Sequence, residues 1–210
     1  MIIVPTILTG NIRTFRSKLR RYRRFPRIQV DVMDGRFVPA RSIPVTKMPR
    51  FPPGQLVEAH LMMRSPELQI GGLLQRGCSL IIFHHEAVGR KQIPALIAAI
   101  HHAGLKAGIA ISPRTPASAL KPYLHAIDQV TVLGVEPGKN AAPFLPQTLN
   151  KVRWLGKQRD CPPIEFDGGV SPDTIRAIAD AGAGYIASGS FIGKFRDPEK
   201  GVACLRAALK

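Results

Sequence analysis

With 210 residues, 45% of them apolar, the chain can bury a substantial core as one domain spanning 1–210, and it is short for two domains. Its three cysteines, Cys78, Cys161 and Cys204, are odd in number and lack CxxC spacing, which excludes a disulfide-stapled scaffold or a thiolate metal finger and leaves reduced thiols. A formal net charge of +16 favours anionic ligands, while the apolar start, interrupted by Pro5, and every later stretch fall short of the roughly twenty apolar residues of a membrane span, so a cytoplasmic protein with no membrane contact is expected.

In chain order, the first apolar run is IIVP at 2–5. It is followed by a basic segment in which Arg13, Arg16, Lys18, Arg20, Arg21, Arg23, Arg24 and Arg27 crowd together. That cluster reads first as a solvated helix face. Its alternative is a grip on an anionic partner such as nucleic acid, although no recognisable nucleic-acid module accompanies it. Further strand signals follow at 28–32, 56–61, 80–84, 107–112, 129–133, 164–168 and 185–189, with helical patterns at 65–77, 90–104, 144–158 and 171–183. The last of these carries clear boundaries: Ser171 as N-cap, Pro172 at the first helical position, Asp173 in the first turn and Gly182 beyond the end. Eight strands alternating with helices predict an α/β fold, a closed (β/α)8 barrel of TIM type.

In such barrels chemistry occurs at the C-terminal strand ends, where this sequence places Asp31, His60, His84, Ser112 and Asp167. Strands two and seven flank the seam formed by strands one and eight, so Asp31 and Asp167 are expected to face a common ligand. Two carboxylates on opposite sides of a carbon acid can act as base and acid and invert a stereocentre. A proton beside a carbonyl needs an electrophile to stabilise the enolate, and His60 offers a nitrogen ligand for a divalent metal beside the two acids. Gly168, Gly169, Gly189 and Ser190 place small residues where backbone N–H groups can cradle a phosphate, with Lys139 on a nearby loop adding charge.

The motifs PTILTGN, VDVMDGRFVP, EAHLMMRSPE, IIFHHEA, AGIAISPRTP, GVEPGKNAAPFLPQTLNKVRWL, IEFDGGVSPDTI and IASGSFIG resemble, in order and spacing, those of the ribulose-phosphate 3-epimerase family. That resemblance implies interconversion of D-ribulose 5-phosphate and D-xylulose 5-phosphate in the pentose phosphate pathway, and a homo-oligomer. It implies that Asp31 and Asp167 are acid, base and metal ligands, that His60 is a third ligand, that Met33 and Met62 line the site, that His84 lies among the substrate-site residues, and that Thr6 touches the sugar. Gly138 joins the phosphate-binding backbone on the same ground. The sequence departs from the family at Gln29, where a histidine normally supplies the fourth ligand. An amide oxygen is the harder and weaker ligand, so the identity of the metal (Zn, Fe, Mn or Co) stays open. A second departure is Asn140, Ala141 and Ala142 in place of glycine, glycine and glutamine. The alternatives are a hexulose phosphate substrate of the allulose 6-phosphate type, or a non-catalytic barrel whose basic helix holds an anionic partner.

Overall fold

Eight parallel strands close on one another in chain order: β1 (Ile2–Ile7), β2 (Arg27–Met33), β3 (Leu56–Met62), β4 (Leu80–His84), β5 (Lys106–Ile111), β6 (Gln129–Leu133), β7 (Ile164–Asp167) and β8 (Tyr185–Ser188), with β8 pairing back onto β1. The protein is described here from a computed structural model covering residues 1–138 and 142–209. The predicted (β/α)8 barrel is thus the observed fold, and every predicted strand end lies within two residues of the observed one. Around the barrel run α1 (Ile12–Arg21), α2 (Ile70–Arg76), α3 (Ile93–His102), α4 (Leu149–Leu155), α5 (Pro172–Asp180), α6 (Ser190–Gly193) and α7 (Pro198–Ala207). No helix among the described residues is long and apolar enough to cross a membrane.

Two predicted helices are shorter than their patterns. Pro66–Gln69 and Pro146–Thr148 wind as 3-10 turns before α2 and α4 begin. In each case a proline heads the turn, and Ser65 enters the first one with φ of +53°. The boundaries of α5 follow the sequence signals. The Ser171 N–H donates to Thr174 Oγ1 at 2.9 Å, and Gly182 takes φ of +106° past the last turn.

The main hydrophobic core lies between strands and helices, where Phe15, Leu19, Phe83, Phe166 and Ile175 are buried. Each such side chain contributes roughly 1.5–3 kcal/mol by leaving water. The barrel interior is divided differently. On one side Leu80, Ile82, Ala110 and Leu133 form a small apolar cluster. On the other the inward positions are polar, because the period of two along a strand puts Arg27, Gln29 and Asp31 of β2 on the same face, as it does Glu58 and His60 of β3 and Glu165 and Asp167 of β7.

These residues form two tiers. In the lower tier the Arg27 guanidinium donates to Glu58 Oε2, at 2.9 Å from Nε, and to Gln129 Oε1, and it lies 3.8 Å from the centroid of the Tyr185 ring. Thr131 Oγ1 donates to Glu165 at 3.2 Å. Burial and then the charge of Glu58 push the Glu165 carboxyl well above the usual range, which favours its protonated form beside Glu58. Removing the cation from this tier leaves the Glu58 carboxyl buried without a countercharge, its Oε2 keeping the longer Gln129 Nε2 contact at 3.4 Å. Arg27→Met is therefore expected to cost about 3–5 kcal/mol in urea unfolding, with much of the loss recovered in the double variant Arg27→Met/Glu58→Leu.

Candidate active site

The upper tier is assembled by register and by closure. Asp31 pairs directly with His60 across the β2–β3 ladder, whereas Asp167 arrives from β7, far along the chain, because the barrel closes. His60 Nδ1 stands 3.3 Å from Asp31 Oδ1 and 3.2 Å from Asp167 Oδ2. The potential ligand atoms of the three residues all lie within 4.8 Å of one another. The nearby Asp34 serves the backbone instead, since its carboxylate accepts the N–H groups of Arg36, Phe37 and Arg64 and closes the turn after β2.

Gln29 sits beneath this group, fully buried. Its amide nitrogen donates to Asp31 Oδ1 and to Asp167 Oδ2, each at 2.9 Å, while its Oε1 is buried with no partner. The fourth corner thus presents an N–H donor to two acids in place of the oxygen ligand weighed from sequence. The reason is electrostatic, since two carboxylates this close attract whatever positive dipole the amide offers. Half a turn of the amide exchanges Nε2 for Oε1 with little change of shape, and Oε1 would then face a cation.

Behind His60 runs a chain of hydrogen bonds. His60 Nε2 and His84 Nε2 are 2.9 Å apart. The ring centroids are 5.0 Å apart and the planes within 18°, so the rings meet edge to edge in nearly one plane. Two bare nitrogens, or two N–H groups, cannot face each other at that distance, so one nitrogen carries the proton. His84 Nδ1 is 3.3 Å from Glu86 Oε2, and a carboxylate only accepts. His84 therefore donates from Nδ1 and accepts at Nε2 from the His60 Nε2–H, so Nδ1 is the His60 nitrogen aimed between Asp31 and Asp167; it carries a proton toward the two acids in the cation-free site and is bare once a cation takes that proton's place. Glu86 is itself fixed, with its Oε1 accepting from the Ser112 N–H at 2.8 Å and from the Thr115 hydroxyl. Lys151 Nζ clamps the same turn through the carbonyls of Ser112, Pro113 and Thr115.

The pKa shifts describe a site that demands positive charge. Burial lowers the His60 imidazole, but the hydrogen bonds and charges of Asp167 and Asp31 outweigh it and hold it up at about 10. Burial pulls His84 down to about 4, so it stays neutral. Burial favours the protonated form of Glu86, yet its bonds to His84 and Thr115 prevail and bring it down to about 2. Asp31 is raised, first by burial and then by the charge of Asp167. The residues present fit a divalent cation: two acids and an imidazole nitrogen converge, and no lysine or arginine among the described residues lines the mouth.

Above these groups the mouth is lined by Thr6, Asp31, His60, Met62, Gly138, Asp167, Gly168, Gly169, Gly189 and Ser190. Gly168 and Gly169 adopt φ of +96° and +69°, and a Cβ on either would strike Val135 at 2.5 Å or Phe144 at 2.8 Å. Only glycine lets the chain turn here with its backbone bare. Of the other expected residues, Met33 packs with Met62 and Val38 beside the mouth, and His84 is buried behind His60. Ser112 anchors Glu86 and does not line the mouth. Ala142 lines the mouth, while Lys139, Asn140 and Ala141 lie outside the described residues. Leu8, Leu133 and Val135 also line it, with Glu136. The first two could have been found as the inward positions two residues past Thr6 and Thr131.

A sequence model described as the ribulose-phosphate 3 epimerase family matches residues 2–193. A ribulose-phosphate 3-epimerase of Schizosaccharomyces pombe is 35% identical over 99% of this chain and 93% of its own. The cytoplasmic isoform of Oryza sativa subsp. japonica is 33% identical over 99% of this chain and 94% of its own. Among solved structures, 3-hexulose-6-phosphate synthase from Salmonella typhimurium superposes with a TM-score of 0.73 over 100% of this chain and 98% of that one, at 15% identity, a likeness of fold alone. With whole-length relatives above 30% identity and a family match spanning nearly all of the barrel, the chain belongs to the ribulose-phosphate 3-epimerase family, whose enzymes are isomerases acting on carbohydrate phosphates.

Proposed function

We propose that the protein interconverts D-ribulose 5-phosphate and D-xylulose 5-phosphate by proton transfer between Asp31, Asp167 and the carbon next to the ketone. The observation that carries this proposal is the convergence of Asp31, His60 and Asp167 within 4.8 Å at the glycine-lined mouth. One aspartate removes the proton and the other returns one to the opposite face of the enediolate, which inverts the carbon. Thr6 contacts the sugar, and the bare backbone at Gly138, Gly168, Gly169, Gly189 and Ser190 holds the phosphate through N–H groups. Asp31, His60 and Asp167 would hold a divalent cation, with Gln29 able to turn Oε1 toward it, and the cation would stabilise the negative charge that develops on the substrate oxygens. Met33 and Met62 form an apolar wall that keeps bulk water from the carbanion. The rice relative is named a cytoplasmic isoform, and a reducing compartment of that kind suits the three free thiols here.

The deciding measurement is solvent deuterium at C3 of D-ribulose 5-phosphate, followed by mass spectrometry with zinc, iron, manganese or cobalt supplied. Wild type is expected to incorporate label and form D-xylulose 5-phosphate, and Asp167→Asn to lower the rate by about 10²–10⁴. Absence of label with every metal would overturn the assignment.

Gln29→His restores an imidazole at the fourth corner, and it is expected to tighten zinc binding about tenfold or more, about 1.4 kcal/mol, in a chelator competition. Glu86→Gln tests how His60 is oriented. The new amide oxygen must accept from Ser112 and Thr115, which turns its NH2 toward His84 and reverses the hydrogen-bond chain, so that His60 presents Nδ1–H to the cation. Cobalt affinity, read from the visible absorption of the bound ion, is expected to fall about 10–100-fold with the thermal unfolding signature of a folded protein retained.

A further inference from the structure

The charges of α1 oppose the formation of the helix they sit on. No acid occupies its first turn, and Arg13 stands there against the helix dipole. Arg13 and Arg16, and then Arg16 and Arg20, are like-charged neighbours at i,i+3 and i,i+4. No carboxylate occurs between Met1 and Val30 to offset them. The helix forms because Asn11 caps it, accepting from the Arg13 and Thr14 N–H groups, and because Phe15, Leu19 and Tyr22 are buried beneath it. Arg13, Arg16, Arg20 and Arg23 are exposed, and none has an ion pair among the described residues. Local rules are broken in this way where a surface serves a partner.

The stripe continues past the end of α1. The Arg21 guanidinium donates to the carbonyls of Phe195 and Arg196, the latter at 3.0 Å, and ties the segment before α7 to the helix. An open groove between them is lined by Arg20, Arg23, Arg24, Arg196 and Lys200. The two acids there are engaged: Asp197 caps α7 by accepting the Glu199 N–H at 3.0 Å, and Glu199 lies 3.7 Å from Arg24. Since α1 runs from the end of β1 to the start of β2, this groove lies at the rim opposite the catalytic mouth.

We propose that this face binds the phosphodiester backbone of nucleic acid without regard to sequence. The cations are mostly arginines, whose planar forks match phosphate oxygens. From Arg13 to Arg20 the helix axis advances about 10 Å, at 1.5 Å per residue, close to three base-pair steps of 3.4 Å. Phe195, which packs on Phe191 with centroids 5.4 Å apart, is the one aromatic lining the groove among the described residues, so no series of rings is present on which successive bases could stack. The apolar face of α1 is buried against the outside of the barrel, so it is not free to insert into a bilayer.

The test is fluorescence anisotropy of the whole protein with two unrelated DNA duplexes of about 24 base pairs across a potassium chloride series. With about five cations engaging phosphates, log K is expected to fall against log salt with a slope of about −4.5 for both duplexes, or roughly 500-fold between about 50 and 200 mM. The triple variant Arg16→Gln/Arg20→Gln/Arg23→Gln is expected to show a slope of about −2 and, because like-charge pairs are removed, an unfolding midpoint equal to wild type or up to about 4 °C higher, with deuterium exchange unchanged. Any of three results overturns the proposal: no saturable binding at the lowest salt, a slope unaltered by the triple variant, or displacement of the duplex by polyglutamate or phosphatidylserine vesicles as effectively, per charge, as by unlabelled DNA.

Discussion

Two carboxylates held within reach of one amide nitrogen set the terms for the rest of this molecule. Asp31 and Asp167 lie 2.9 Å from the same Gln29 Nε2, in a site where burial already raises Asp31. Like charges at that separation in low dielectric repel by several kcal/mol unless positive charge is placed between them. Everything around them answers that need: an amide donor below, an imidazole held up at about 10 to one side, and space for a cation. Closure of the barrel imposes the proximity, because no local segment brings β2 and β7 together. Stability of the eight-strand cylinder and the assembly of this buried acid pair are therefore one problem.

The cylinder handles this by stacking charge in tiers. Directly below Asp31 and Asp167 the Arg27 guanidinium pairs with Glu58, while burial and the charge of Glu58 push the Glu165 carboxyl well above the usual range and so disfavour further negative charge under Asp167. Many barrels fill this volume with branched aliphatic side chains. Here a small aliphatic cluster, Leu80, Ile82, Ala110 and Leu133, shares the interior with the acids, Leu133 standing beside Asp167 in the β6–β7 register. The polar half gives orientation: each inward side chain is fixed by hydrogen bonds to its neighbours, so His60 has its direction set from behind by His84 and Glu86 before any ligand arrives.

How much of this was legible depended on the range of the interaction. The runs 80–84 and 129–133 are read as strands to the residue because LIIFH is an apolar run closed by a histidine and QVTVL alternates polar and apolar residues at the period of a strand. Asp31, His60 and Asp167 were recoverable because the fold rule places chemistry at strand ends, and each occupies one. The role of Glu86 was not, since its partners Ser112 and Thr115 come from the next strand's turn and the polarity of the histidine pair exists only once both rings are in place. Likewise the sequence marks Gln29 as a departure, but only three-dimensional contact shows its amide nitrogen satisfying both acids. The early parts of the helices at 65–77 and 144–158 were over-read because apolar periodicity does not distinguish a 3-10 turn headed by proline from α-helix.

The location of the acids also explains the surface. Asp31, Glu58 and Glu165 are inside the barrel and Asp167 is at its mouth, so they scarcely offset the lysines and arginines outside, and the net charge of +16 is largely a property of the exterior. A positive exterior raises the local concentration of any phosphorylated ligand and speeds its arrival. Such a field does not discriminate between a sugar phosphate and a polyanion; shape does. The mouth walled by Thr6, Met62 and the 168–169 turn encloses a small space above buried acids, whereas the open stripe on α1 offers exposed cations at helical spacing and no enclosure. One electrostatic asymmetry, acids inward and bases outward, thus presents two chemically different surfaces on the same fold, an enclosed mouth and an open stripe that runs down the outside of the barrel to the opposite rim.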